Sequence, residues 1–234
     1  MTDTLCPPAI AGRRAAWACT RKLELREFVP TDLDEVLQMH REPRLRAHLV
    51  DDYPLHEPAV ARMFLWRLGE IYREHEGLGI WHATRLETLD DGAVRRRFAG
   101  WFNLMPMAEH PGEVELGSRL LPQAWGSGLA LEGGELLLDH AFGTLGLERV
   151  WGICHPDNRS ARTVLATMGF MPRGVQLYDG VPASHFEIDL NAWQATRNSP
   201  RASRLRRVLR ALQGGPAQPD APHEPRPDLP RCRT

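Results

Sequence analysis

Apolar and polar residues alternate most regularly from Val114 to Leu120. Val114, Leu116 and Leu120 fall on one face, and Glu115, Gly117 and Arg119 fall on the other. Pro122 stops this strand, and Gln123-Ala124-Trp125-Gly126-Ser127-Gly128 turns directly into an amphipathic helix over residues 128–144. Two glycines at the mouth of a helix let backbone amides approach a ligand closely, and the positive end of the helix dipole attracts phosphate there. A tight turn uses the same glycine pair, so the turn alone leaves both readings open.

Around this centre the pattern predicts further elements. Leu23, Leu25 and Phe28 mark an extended segment that starts at Lys22. Thr31 reads as the cap of a helix over 32–40, with Asp34 three residues on, and Leu33, Val36, Leu37 and His40 form its buried stripe. His40, at the edge of that stripe, reads as structural. A second helix is expected from Pro58 to Arg73, with Phe64, Trp66 and Tyr72 read as core. Residues 78–86 and 98–105 read as strands around the hairpin signal Asp91-Gly92. Downstream, residues 149–154 form another strand, and His155-Pro-Asp-Asn158 introduces a helix that ends at Gly169-Phe170. Residues 175–178 and 184–190 close the chain as a hairpin around Asp179-Gly180. Antiparallel hairpins, one strand-helix-strand unit and a closing hairpin predict a mixed α/β sheet with helices on both faces.

Composition narrows the class. With 234 residues, 42% of them hydrophobic, the chain can bury one sizeable core. The expected organisation is a flexible leader at 1–21, one domain at 22–193, and a basic, Pro-rich tail at 194–234 with a short helix at 201–213. The net charge of -1 is unevenly placed: residues 198–234 hold eight Arg against three acids, a net +5 that leaves -6 on the rest. Cys6, Cys19, Cys154 and Cys232 are too scattered for structural zinc or a disulfide framework. The N-terminus lacks a signal pattern, and no window approaches a membrane span, so a soluble cytoplasmic protein is expected.

Three local patterns, in this order and spacing, resemble the GCN5-related N-acetyltransferase superfamily over residues 22–193. They are Gln123-Ala-Trp-Gly126-Ser-Gly128, similar to that family's Q/R-x-x-G-x-G/A acetyl-CoA loop, the preceding strand through Glu115-Leu-Gly117, and Asn158 heading a helix that ends in Gly169-Phe170. The Trp-Gly-x-Gly-x-Ala wording and the His185-Phe186 strand look most like the branch of bacterial ribosomal-protein N-terminal acetyltransferases. The resemblance implies a mostly antiparallel sheet whose strands at 114–120 and 149–154 form a parallel pair that splays into a cofactor cleft. It implies that main-chain groups of Arg119, Leu120 and Leu121 take the pantetheine arm of acetyl-CoA. Gln123, Trp125, Gly126, Ser127, Gly128, Leu129 and Ala130 would surround the pyrophosphate, and Asn158 the pantetheine or thioester end. Recognition by backbone amides needs no metal.

The implied reaction is attack of a primary amine on the thioester, which requires a base for the amine and a proton for the departing thiolate. Glu115 is the candidate base, with Glu113 its rival. The helix after Asn158 carries no Tyr and has Ala161 three positions on, so Ser160, water or the remoter Tyr178 is left to supply the proton. The expected acceptor is a protein or peptide N-terminus. A polyamine or aminoglycoside is the alternative, with Asp51, Asp52 and Glu57 in the expected substrate wall. A catalytically weak acyl-CoA-binding module is the reading from another class. Contact of the basic tail with RNA or the ribosome, and a homodimer, are further expectations. Gly126-Ser127-Gly128 lacks the spacing of a nucleophile elbow, no Walker lysine follows it, and Cys154 reads as a buried thiol rather than a nucleophile beside His155.

Overall fold

Trp101 and Phe102 are adjacent and both buried, yet they belong to different apolar cores, because neighbours on a strand point to opposite faces. A sheet with apolar packing on each side follows. The computed structural model describes residues 16–214 apart from 52, 108, 109 and 179. The leader before residue 16, the Pro-rich stretch from 216, Cys6, Cys232, Asp52 and Asp179 therefore lie outside the described residues.

The sheet has eight strands: β1 (Ala18–Cys19), β2 (Leu23–Glu27), β3 (Gly79–Thr88), β4 (Val94–Pro106), β5 (Val114–Leu120), β6 (Arg149–Cys154), β7 (Met171–Tyr178) and β8 (Val181–Asp189). Their order is β1-β2-β3-β4-β5-β6-β8-β7. Neighbours pair antiparallel except β5 and β6, which run parallel and register at one pair, Glu115 opposite Trp151. The helices are α1 (Leu33–His40), α2 (Pro43–Arg46), α3 (Pro58–Glu74), α4 (Leu129–Gly143), α5 (Arg159–Met168), α6 (Leu190–Arg197) and α7 (Arg201–Gly214). α1 and α3 cover the Trp101 core through Val36, Leu37, Leu65 and Leu68. α4 and α5 cover the Phe102 core through Leu129, Leu137, Leu138 and Leu165. No helix among the described residues is long and apolar enough to cross a membrane.

The mixed sheet with helices on both faces and a parting parallel pair is the expected architecture. The differences have local causes. Thr31 does not cap α1: Pro30–Asp32 is a 3-10 turn. Asp32 at its end receives Val29 N–H at 2.8 Å and the Arg26 guanidinium at 2.7 and 2.8 Å. Burial would raise the Asp32 carboxyl, but those donors outweigh it and hold the group below its usual range. The segment before Lys22 is not wholly loose, since Ala18 and Cys19 pair with Leu25 and Glu24 and Trp17 stacks on Trp81 at 4.5 Å. Of the aromatics on α3, Phe64 stacks on Trp101 and Tyr72 bonds to Ile80 O, as core residues do, whereas Trp66 is 65% exposed.

The C-terminal boundary also moves. α6 runs through residue 193, and Trp193 is buried with its Nε1 on Asp139 at 3.0 Å. α7 occupies the place of the expected basic helix, and it is docked: Arg204 is buried, donating to Thr167 O at 3.1 Å and Glu135 at 2.6 Å. Part of the basic tail's charge thus faces the domain itself.

Candidate active site

β5 carries the site because its two faces do different work. The register sets Glu115 opposite Met105, Gly117 opposite Asn103 and Arg119 opposite Trp101, all on the α1/α3 side of the sheet, while Leu116 and Leu120 pack into the other core. Leu121 N–H donates to Ala99 O on β4 at 2.8 Å. By strand alternation, the main-chain groups of Leu120 and Ser118 then face the gap from which β6 has parted. Of the three expected residues, Leu120 has its N–H on the gap, Leu121 is turned to β4, and Arg119 reaches with its side chain to the opposite wall. Ser118, which the sequence reading passed over, joins Leu120.

The turn after β5 is held by hydrogen bonds of its own. Pro122–Ala124 forms a 3-10 turn, pinned by Arg85 on Gln123 O at 3.2 Å. Trp125 Nε1 donates to Leu120 O at 2.7 Å and Ser127 Oγ to Ala124 O at 2.5 Å. Gly126 and Gly128 take φ of 70° and 83°, which side chains disfavour. Gly128 is the N-cap of α4, and no side chain caps that helix. The N–H groups of Leu129, Ala130 and Leu131 therefore have neither an intrahelical nor a side-chain partner, the first intrahelical bond being Glu132 N–H to Gly128 O at 3.1 Å. A side chain added at Gly126 or Gly128 would meet open space, so it is the positive φ and not crowding that favours glycine there.

Beside the gap lies a cluster of polar groups. Tyr178, at the end of β7, donates its hydroxyl to Glu115 Oε2 at 3.2 Å. Burial pushes the Glu115 carboxyl up to about 7, against the lowering effect of the Tyr178 hydrogen bond and the Arg119 charge. Burial and the adjacent Glu115 push Tyr178 upward as well, which keeps the phenol protonated. Arg119 pairs with Asp51, lies over the Trp101 ring at 5.1 Å and contacts His40 Nε2 at 3.2 Å. His40 Nδ1 sits 3.0 Å from Val36 O, so that nitrogen donates and Nε2 accepts from Arg119. Burial and the nearby arginines hold the imidazole down at about 4, so it is neutral.

A cleft of about 250 Å³ opens next to this cluster, lined by His40, Arg46, Leu49, Asp51, Tyr53 and His56. Val181, the register partner of Tyr178, closes one side of it. Asp51 thus lines the cleft, with its charge paired to Arg119. Glu57 is exposed just before α3.

The remaining candidates separate. Glu113 receives Trp151 Nε1 at 2.9 Å and lies 3.7 Å from Arg149 Nε, which makes it a strand-end anchor. Asn158 caps α5, its Oδ1 accepting Ala161 N–H at 3.0 Å, so its NH₂ is the group it can offer a ligand. Ser160 is exposed on the first turn of α5; the hydroxyl that the fold brings to Glu115 is that of Tyr178. Cys154 is buried and its thiol pushed up to about 11 by that burial, the opposite of an activated nucleophile. Asp32, Glu35 and His82 lie within 4.8 Å of one another like a ligand set. There, however, the Arg26 guanidinium already spans both Asp32 oxygens, and His82 Nε2 meets Glu35 at 2.7 Å. The cluster is a latch between β2, β3 and α1, made by the Arg26–Asp32 ion pair and the His82–Glu35 hydrogen bond.

A sheet parted beside an uncapped glycine-headed helix can be compared with known proteins. The acetyltransferase (GNAT) domain profile matches residues 22–171. The chain belongs to the GNAT acetyltransferase family. GNAT acetyltransferases use acetyl-CoA. The FsC-acetyl coenzyme A-N(2)-transacetylase of Aspergillus fumigatus is 27% identical over 157 residues, which span 64% of this chain and 63% of the fungal protein. Among solved structures, RimJ of Mycobacterium smegmatis in complex with CoA-disulfide superposes with a TM-score of 0.61 at 19% identity, covering 80% of this chain and 90% of RimJ. The ribosomal-protein-S5-alanine acetyltransferase of Vibrio fischeri superposes with a TM-score of 0.59 at 16% identity, covering 77% of this chain and 99% of that one. At such identities the two structures show a shared fold.

Proposed function

We propose that this GNAT acetyltransferase acetylates a single primary amine, foremost a protein or peptide N-terminus, with Glu115 as the base. The observation that carries the reading is the Glu115–Tyr178 contact at 3.2 Å, placed where β5 and β6 part. Acetyl-CoA supplies an activated thioester carbonyl. The open amides from Gly128 to Ala130 hold its pyrophosphate, Ser118 and Leu120 present main-chain groups to its arm, and the Asn158 NH₂ faces its reactive end. Glu115, half ionised near neutrality, takes the proton that the amine loses. Tyr178 then gives its hydroxyl proton to the departing sulfur and recovers one from protonated Glu115, so the net transfer is from nitrogen to sulfur. Ser160 is not needed for this route.

The cleft supports a one-amine acceptor. Its described acid, Asp51, is neutralised by Arg119. A polyamine or aminoglycoside carries several positive charges that such a wall does not match. The V. fischeri ribosomal-protein acetyltransferase has the same fold, which supports a protein terminus. The name of the A. fumigatus relative supports a second reading, a small amine. Thiol release measured against N-terminal peptides, polyamines and aminoglycosides decides between them. Turnover with peptides alone is the expected result, and turnover confined to polycations would overturn the acceptor assignment.

Tyr178→Phe tests the relay. It removes the hydrogen bond that lowers the Glu115 carboxyl, so the midpoint of the kcat/KM–pH profile should move upward from about 7, and kcat should fall by about 10²-fold. An unchanged midpoint with an unchanged rate would take Tyr178 out of the chemistry.

A further inference from the structure

The segment formed by α6 and α7 lies beyond the residues matched by the family profile, and three of its arginines, Arg197, Arg201 and Arg204, face one stripe of α4. Glu132, Glu135 and Asp139 follow each other along that helix at spacings that put them on one side. Arg197 meets Asp139 at 3.1 Å, and Arg204 meets Glu135 at 2.6 Å. Arg201 meets Glu135 at 2.5 Å and Glu132 at 3.6 Å. The Thr20 hydroxyl, just after β1, also donates to Glu132. Segments from both ends of the described chain thus converge on the first turns of α4.

Glu132 is the residue where this matters. It lies in the first turn of α4, and helix side chains lean toward the N-terminus. Its carboxylate therefore competes for the positive helix end that a phosphate would use, within about one helical pitch, roughly 5–8 Å. An uncompensated charge there would repel the donor. Arg204 is largely enclosed and also holds Thr167 O and Ser199 O, so its part is mainly architectural. Arg201 keeps more solvent exposure and touches the carboxylate nearest the turn.

We infer that Arg201 is a positioning residue for acetyl-CoA: from an appended helix it neutralises Glu132 and so keeps the head of α4 receptive to the donor's phosphates. This rests on the donor-binding reading of that turn. Arg201 touches no reacting atom, so its effect falls on donor affinity and KM, with the acyl-transfer step unchanged.

The test is calorimetric titration of the full-length protein with CoA at low and high salt, with thermal unfolding of each variant alongside. Arg201→Gln should weaken CoA binding by about tenfold at roughly 50 mM salt and by less than about twofold at roughly 0.5 M, because screening shortens the reach of the unmasked charge. Glu132→Gln, which can still accept from Thr20, should restore affinity in the Arg201→Gln background. Unchanged binding by Arg201→Gln overturns the inference. So does weakening that Glu132→Gln fails to restore, because Arg201 would then act by direct contact or by holding α7 in place. If the unaltered protein binds no CoA, the donor-site reading itself fails and the inference goes with it, an outcome distinct from the other two.

Discussion

Glu115→Gln is expected to lower kcat by about 10²- to 10⁴-fold, the usual contribution of a positioned general base, with CoA affinity kept within about twofold. The substitution preserves the shape of a side chain that sits between Tyr178 and the parted strands, and Gln can still accept the Tyr178 hydroxyl. What disappears is the capacity to take a proton. The donor's phosphates are assigned to amides at the head of α4, on the far side of the turn, so binding and chemistry should separate cleanly. Calorimetry with CoA and steady-state thiol release on the same preparation measure both. Loss of binding together with turnover would mean that Glu115 serves the fold; retained turnover would remove it as the base.

Gly133→Val should destabilise the fold by about 3 kcal/mol or more and weaken CoA binding with it. A Cβ at Gly133 would come 2.3–2.6 Å from three atoms of the Phe102 ring, which is fully buried. Neither side can yield, because Phe102 lies between β4 and α4 in the core. Overpacking of this kind usually costs about 1–3 kcal/mol, and here the displaced body is the helix whose first turn we propose holds the donor. Gly69→Ala supplies the contrast. Gly69 lies inside α3 with nothing within 4 Å of an added Cβ, so the change should stabilise by about 0.5–1 kcal/mol through helix propensity. Urea unfolding compares the two. Equal small effects would mean that α4 is not held against the sheet by this contact.

The strand-turn-helix unit from Val114 to Gly143 was readable in the sequence because its signals are local: period-two alternation, a proline stop and a glycine pair before an apolar helix. Glu115 stood out for the same reason. Its partner did not. Tyr178 lies 63 residues further on and reaches Glu115 through the pairing of β7 with β8 and of β8 with β6, which no periodicity announces. His40 reads from its helix as a stripe residue, and only the packing of α1 over Arg119 places it in the cleft wall. Thr31 resembles a cap, but Arg26 draws Asp32 into that place by a bidentate pair, a contact between β2 and the turn before α1. β1 is two residues long and held by Trp17 on Trp81, too little for any pattern. α7 reads as a basic surface helix because its acidic counterparts lie on α4; Arg204 is buried at the sequence position of an apparently solvated charge.

The measurement that bears most directly on the account is the pH dependence of kcat/KM for the unaltered protein with a peptide acceptor. A general base with its carboxyl at about 7 must be ionised to act, so kcat/KM, which reports the groups of the free protein, should climb with pH through about 7. A rate that is flat between about pH 5.5 and 8.5, a window that brackets the expected midpoint by more than a unit each way, would contradict Glu115 as the group that takes the amine's proton.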